Sequence, residues 1–567
     1  MRKTLFTIIC LLALLVEASA GDRVVERTYI STDRSVYVAG EAIRCSAFCL
    51  DANHERLYSQ TSSVVYLELH SADGLAAGAR LALINGRGAG SLQLPATLPT
   101  GNYRLIAYTA QNRGEEGYDY EGIASKTISV FNVFTKDRVK DGVEVVSDAE
   151  YEAAIAKQAP QCGEVSIEAA RGAGRSSVIP ITLTNGGGQA MSLSVAVYHE
   201  DALMENDNPT IEDFVRSAEV GDRLITDNFI PDYEGEVIRG RIAGLKEENM
   251  QDVVGKFAFI SAPSEKSDVY AAMIGPSGNV NFYTCNIYGD KDMICEIEGI
   301  DSTLNCHLEL QSPYVGASVA SPAPLKMAPC LGDALKSRAA SMQIEKHFAS
   351  DTLFEYLPVR ENMLFTGKCV QYVLDDYTRF PLMEEVFIEF VPELKARRSD
   401  GSADIRVRLD NYSGAIYFSK ATALMMLDGV PVFDHSKILS YDPLLVESIN
   451  IYPASHYIGS RQFDGLVNFV TYKKNLPDFT FSDNARVINY QGVSYPEAYS
   501  CLSTALSTEY PDYRQTALWQ PIVEVEGGES VTLECKMPSY EGRFSVVVEG
   551  LARDGSPVRK KFSIEVR

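Results

Sequence analysis

The sequence predicts a mainly β protein, a row of antiparallel sandwiches carrying one α+β module. Three observations lead there. Period-two alternation of apolar and polar residues recurs along most of the chain, between turn signals such as Ala72-Asp73-Gly74 and Asn85-Gly86. Helical spacing is concentrated in one stretch, where Leu331, Leu335, Ala339 and Met342 share a face, as do Leu382, Val386, Phe387 and Phe390 behind Pro381. The composition, with 41 Gly, 24 Pro and 30 Tyr in 567 residues, suits strands and turns, and 7 His leave little material for histidine catalysis or metal sites. Lys plus Arg number 52 against 76 Asp plus Glu, a net charge of -24, which argues against nucleic acid or an anionic membrane surface as the main ligand.

The elements follow in order. Arg2 and Lys3 precede an apolar run over residues 5–16 and the small residues Ala18-Ser19-Ala20, so residues 1–20 read as a signal peptide with cleavage before Gly21. Ile9 stands where a lipoprotein signal needs a small residue before Cys10, so a lipid anchor there is not expected. Beyond residue 20 no apolar run approaches the roughly 18–20 residues of a spanning helix. An exported chain in the periplasm, or held peripherally at the outer membrane, is expected. The remaining cysteines, as in Met293-Ile294-Cys295-Glu296-Ile297, read as small buried hydrophobes and not as a disulfide framework.

Residues 21–145 form the first expected sandwich. It opens on Thr32-Asp33-Arg34-Ser35-Val36-Tyr37-Val38-Ala39-Gly40-Glu41 and closes on Leu94-Pro95-Ala96-Thr97-Leu98-Pro99-Thr100-Gly101-Asn102-Tyr103-Arg104-Leu105. Gly40 and Gly101 suit tight turns, and Tyr37, Tyr103 and Leu105 a core. Together these motifs resemble the second macroglobulin domain of bacterial α-macroglobulin-like proteins, which implies an Ig/macroglobulin-like sandwich. A short linker helix over 147–157 leads to a second sandwich at 160–225, with strands at 178–183 and 191–198, the turn Asn185-Gly186-Gly187-Gly188, and a helix over 208–218 with Pro209 in its first turn. A third sandwich, 230–315, opens on Tyr233-Glu234-Gly235-Glu236-Val237-Ile238-Arg239-Gly240 and is similar to carboxypeptidase-regulatory-like modules. Residues 325–480 form the α+β domain, and 484–567 a final sandwich-like domain. In the last, Trp519 reads as a core or interdomain anchor.

Residues 424–473 are the most specific stretch. Leu424-Met425-Met426-Leu427-Asp428-Gly429-Val430-Pro431 is followed by Asp442-Pro443, Val446-Glu447-Ser448-Ile449-Asn450-Ile451-Tyr452, Tyr457-Ile458-Gly459-Ser460-Arg461, and Gly465-Leu466-Val467-Asn468-Phe469-Val470-Thr471-Tyr472-Lys473. Asp428-Gly429 is a turn signal after a buried strand, and Pro431 marks an edge or loop. The order resembles the plug domain of TonB-dependent outer-membrane receptors of the Bacteroidota type. Fewer than about a hundred residues follow Lys473, whereas a receptor barrel of roughly 22 strands takes at least roughly 200. A plug-like domain lacking its own barrel is therefore expected.

Enzymatic chemistry finds little support. Cys162-Gly163-Glu164-Val165 approaches the α-macroglobulin thioester, but Val165 has no carboxamide to be esterified. His199-Glu200-Asp201 and Asp434-His435-Ser436 come with no His-Glu-x-x-His helix or Gly-x-Ser-x-Gly elbow. Asp290-Lys291-Asp292 lacks calcium-loop spacing and reads as a surface turn. Tyr118 and Tyr120 could present aromatic rings to glycans or peptides, although packed rings are commoner. The expectation is a non-enzymatic envelope protein without cofactor or metal. It binds a protein partner, such as a TonB-dependent receptor or secretion component, through sheet edges and the loops carrying Asp428, Gly429, Pro431, Asp434, Tyr457, Gly459 and Arg461. The alternatives are a ligand-capture subunit of an outer-membrane importer and a macroglobulin-like protease inhibitor or exported hydrolase.

Overall fold

The computed structural model describes residues 26–51, 57–113, 123–134, 142–153, 160–203, 206–217, 232–263, 268–300, 304–348, 354–359, 364–365, 367–399, 402–409, 417–419, 423–500 and 511–567. The expected signal peptide at 1–20, Tyr118 and Tyr120 lie outside the described residues. The chain forms two compact units: Met1–Tyr233, Tyr314–Val359 and Val493–Arg567 make one, and Glu234–Pro313 and Arg360–Gly492 the other.

The first unit begins with the expected sandwich. Its strands run, in sheet order, Glu26–Thr32, Ala42–Asp51, Arg87–Gln93, Gly74–Ile84, Val64–Ser71, Gly101–Tyr108, Ala124–Phe131 and Val36–Val38. Gly74–Ile84 pairs with Val64–Ser71 along most of its length and with Arg87–Gln93 only at Leu83 and Ile84, so it serves both layers. The hairpin turn that follows is Asn85-Gly86, with φ of 52° and 71°, the pair of left-handed residues a two-residue β-turn needs. Val65, Leu67 and Leu69 face the core with Tyr37, Tyr103, Leu105 and Ile128. Their neighbours Val64 and Tyr66 are also buried, in a second cluster with Ile106, Tyr108 and the chain around Val315, so this strand is buried on both faces.

The motif at the opening of this sandwich marks a change of sheet. Asp33 sits between Glu26–Thr32, which pairs antiparallel with Ala42–Asp51, and Val36–Val38, which pairs parallel with Ala124–Phe131. Its buried carboxylate accepts from Tyr37 Oη (2.6 Å), Arg44 N (3.1 Å) and Thr516 Oγ1 (2.7 Å). Burial alone would raise its pKa, but Arg34, Arg44 and these hydrogen bonds outweigh burial and hold the carboxyl below its ordinary value. Gly40 has φ +94° as the turn requires, whereas Gly101 takes no left-handed conformation and a side chain there would meet open space.

The second and last expected sandwiches are one domain. Val165–Ala169 and Val178–Asn185 share a sheet with Ser530–Lys536, and Met191–Glu200 lies between Thr516–Val525 and Gly542–Ala552 in a seven-stranded sheet. Ile181, Leu183, Val195, Val197, Val546, Val548 and Ile564 form their common core. The division at 160–225 and 484–567 is thus corrected: period-two patterning identifies strands but not their partners, and here the partners are more than about 300 residues away in sequence. Trp519 is buried in Thr516–Val525, beside Ala196 and Tyr499. The helix after Met191–Glu200 spans Ile211–Arg216 and is capped by Thr210, so Pro209 precedes the cap instead of entering the first turn. The linker helix is Asp148–Ala153. Residues 325–359, expected in the α+β domain, belong to this first unit: Leu325–Met327 pairs with Val143–Val145 and leads to the helix Gly332–Phe348.

The second unit joins a sandwich to the α+β module. One sandwich sheet orders Asn279–Tyr283, Val237–Ala243 and His307–Leu310, and the other Asp268–Met273, Phe257–Ala262, Asp290–Ile297 and Arg486–Gln491. The last strand was expected in the C-terminal domain, and Asp290-Lys291-Asp292 begins a strand instead of forming a turn. The module's sheet orders Val370–Val373, Val446–Ile458, Arg461–Thr471, Leu424–Leu427 and Val430–Pro431. The helices Met383–Phe390 and His435–Ser440 and the hairpin Leu394–Ser399 with Ser402–Leu409 cover one face, with Phe387, Ile405, Val407, Met425, Leu427 and Phe469 in the core. In Met383–Phe390 the buried residues are Met383, Val386 and Phe387, while Leu382, expected on that face, is the exposed cap residue.

Candidate functional site

The loops singled out for partner binding are mostly built into the second unit. Asp428 is 3% exposed and has φ +49°; with Gly429 at +83° it makes the turn between Leu424–Leu427 and Val430–Pro431. One carboxylate oxygen accepts from Thr471 N (2.7 Å), the other from Thr471 Oγ1 (2.7 Å) and Leu476 N (2.9 Å). Gly429 N donates to Asn468 Oδ1 (2.9 Å), and Pro431 is buried opposite Met426. The Asp-Gly-x-Pro motif therefore locks the end of Arg461–Thr471 to the neighbouring strand, and its polar atoms are spent internally.

Gly459 and Arg461 are likewise engaged. A side chain at Gly459 would meet Ala271 O at 2.5 Å, so the turn lies directly on the sandwich strand Asp268–Met273. Arg461 donates from Nε to Glu298 Oε2 (2.8 Å), and its guanidinium stands 4.8 Å from the centroid of Phe463. Leu424, Met426, Ile458, Phe463 and Leu466 pack with Phe259, Val269 and Ala271, so the sandwich of the same unit covers this face of the module's sheet. Of the seven expected contact residues, Asp434 and Tyr457 have exposed side chains, and Asp434 is committed to capping His435–Ser440 by accepting from Ser436 N.

The surface left free lies at the other end of the sheet. Val370–Val373 is an edge strand, paired with Val446–Ile458 on one side and with no strand on the other among the described residues. Beside it Val373, Tyr377, Leu382, Leu444 and Tyr472 are exposed. Tyr377 stacks on Phe390 with centroids 4.3 Å apart, Tyr472 Oη donates to Asp375 (2.6 Å), and Arg379 donates to the carbonyls of Pro443 (2.6 Å) and Val446 (3.1 Å). These bonds hold the aromatic rings in a fixed array. Sequence reading missed the patch because its residues come from separated stretches of the chain, and the motif that contains Tyr472 drew attention to its turns and strands instead.

The clusters considered for catalysis are dispersed. Asp434 caps a helix, and buried His435 accepts from Ile405 N at Nδ1 (2.9 Å), with burial lowering its pKa. Glu200 pairs with Lys561 and Arg543, Asp201 with Arg338, while burial lowers the His199 pKa. Cys162 makes a backbone bridge to Arg559, its thiol raised by burial and so not activated, and Val165 is buried in the sandwich core. Among the described residues no three His, Cys, Asp or Glu side chains are grouped to hold a metal, and no helix is long and apolar enough to cross a membrane.

No protein-family model matches the chain, and no curated protein does. Among solved structures it is similar to Escherichia coli alpha-2-macroglobulin in its native conformation, at 8% identity over 96% of this chain and 22% of that one, with a TM-score of 0.16. A Salmonella alpha-2-macroglobulin mutant is similar at 8% identity over 95% of this chain and 39% of that one, with a TM-score of 0.24. A tetra-tandem repeat from the extending region of a large adhesion protein is similar at 8% identity over 96% of this chain and 100% of that one, with a TM-score of 0.12. The chain spans less than about half the length of these macroglobulins.

Proposed function

We propose that the protein is a non-enzymatic, exported cell-envelope protein that binds a protein partner at the outer membrane through its plug-like module. The observation that carries this reading is the division of the module's surface. One face is closed by the neighbouring sandwich through Leu424, Met426 and Phe463, while the edge strand Val370–Val373 and the rings of Tyr377 and Tyr472 remain exposed. An unpaired edge offers backbone donors and acceptors to an extended strand of a partner, and exposed aromatic and leucine side chains beside it supply apolar anchors. The binding face is thus the edge-strand end, not the Asp428 and Arg461 loops.

Replacing Tyr377 and Leu444 together by Asp tests it. Native extraction of envelopes should recover the wild-type protein in a complex larger than the single chain and the variant at the single-chain mass, with hydrogen exchange at the amides of Thr471 and Leu476 the same in both. Equal complex size for both would exclude this face.

A further inference from the structure

The first unit contains a cavity of about 380 Å³ lined by Asp33, Lys126, Arg338, Glu549 and the segment that follows Met191–Glu200. That volume is in the range of small-molecule sites, and the lining is strongly charged. Nearly all of the charge is spoken for. Arg34 pairs with Asp33, Arg338 with Asp201, Lys561 with Glu200 and Arg559 with Glu549.

Among the lining cations Lys126 is the exception. It is 7% exposed and shares a strand face with the core residues Ile128 and Val130, yet its ammonium makes no hydrogen bond among the described residues. It stands 5.0 Å from the Tyr29 ring centroid. The nearby carboxylate of Glu549 already accepts from Arg559 Nε (2.9 Å), Ser31 Oγ (2.9 Å) and Tyr29 Oη (3.2 Å). Two cations therefore face one carboxylate. Burial lowers the Lys126 pKa and Glu549 opposes that change, while Glu549 itself, which burial would raise, is held low by Lys126 and Arg559. An ammonium with donors to spare at the wall of a cavity offers them to an acceptor that enters it.

We propose that this cavity binds a small hydroxylated carboxylate of the sugar-acid class, with its carboxylate on Lys126. Lys126 is the lining cation without an ion pair and matches a monoanion, while the carboxylate of Asp207, which has no ion pair among the described residues, disfavours a phosphate dianion. That carboxylate accepts hydrogen bonds from hydroxyl groups, and the volume holds more than a bare ion. The site is independent of the protein-binding face.

Calorimetric titration of the full chain at low ionic strength tests it, with D-glucuronate, D-gluconate, D-glucose and inorganic phosphate as probes. At least one of the two sugar acids should bind saturably at one site, more tightly than glucose or phosphate. Lys126→Met should weaken that binding about tenfold or more, and Lys126→Arg should retain part of it. Failure of both sugar acids to bind, tighter binding of phosphate or glucose, or an unchanged Lys126→Met would overturn the proposal. If Lys126→Met does not fold, reductive methylation of the wild type reads the same contact by peptide mass. Saturating sugar acid should protect Lys126, and equal labelling with and without it counts against the site.

Discussion

Asp33 in the first unit and Asp428 in the second are both buried at a point where a strand ends, and they are held by opposite means. Asp33 lies between two guanidinium groups, Arg34 and Arg44, with a tyrosine and a threonine hydroxyl completing its shell. Among the described residues no cation accompanies the hydrogen bonds to Asp428, which come from two backbone amides and one threonine hydroxyl. In the first case the loop depends on charge. In the second it depends on acceptor geometry, and the difference shows why a conspicuous acidic motif need not be a recognition surface.

The largest effect is expected at Asp33. Its removal leaves Arg34 and Arg44 facing an empty position, so Asp33→Ala should cost about 3–5 kcal/mol in the first unit. Trp519, the single tryptophan and buried in that unit, reports the transition in urea. Because the folded pKa of Asp33 lies below its unfolded value near 3.9, its contribution is present above about pH 4 and is lost as pH falls through the folded value. The gap between wild type and Asp33→Asn should therefore narrow on acidification. A gap that widens would remove the ionic account of this loop.

Asp428→Ala should cost less, about 2–3 kcal/mol, and in the second unit only. Hydrogen exchange should accelerate at the amides of Thr471 and Leu476 while the Trp519 transition stays in place. If exchange is unchanged there, the contrast with Asp33 fails. Smaller still is Arg461 with Glu298, a partly exposed bidentate pair. A double-mutant cycle with alanine at each position should give a coupling of about 1 kcal/mol. Zero coupling would return Arg461 to the surface and reopen it as a contact residue.

The first sandwich was legible because its signals are local. Asn85-Gly86 dictates its own turn, and Asp33 reaches Tyr37 and Arg44 within the same hairpin neighbourhood. The second sandwich was not, since Ile181 opposite Leu533 and Val195 opposite Val548 are long-range pairings that alternation cannot assign. The candidate site divided the same way. Asp428-Gly429 was rightly read as a turn, but nothing near Arg461 in sequence announces Glu298, and nothing in Tyr472 announces that it meets Asp375 and Arg379, or in Tyr377 that it stacks on Phe390.

Site-specific photocrosslinking in intact cells tests the central claim most directly. A photoreactive phenylalanine analogue would replace Tyr472, beside the edge strand, or Tyr457, 63% exposed at the sandwich-covered end. Position 472 should yield a discrete adduct with another envelope protein, and position 457 should not. Adducts at 457 alone, or only same-chain products at 472, would contradict a partner-binding face at Val370–Val373.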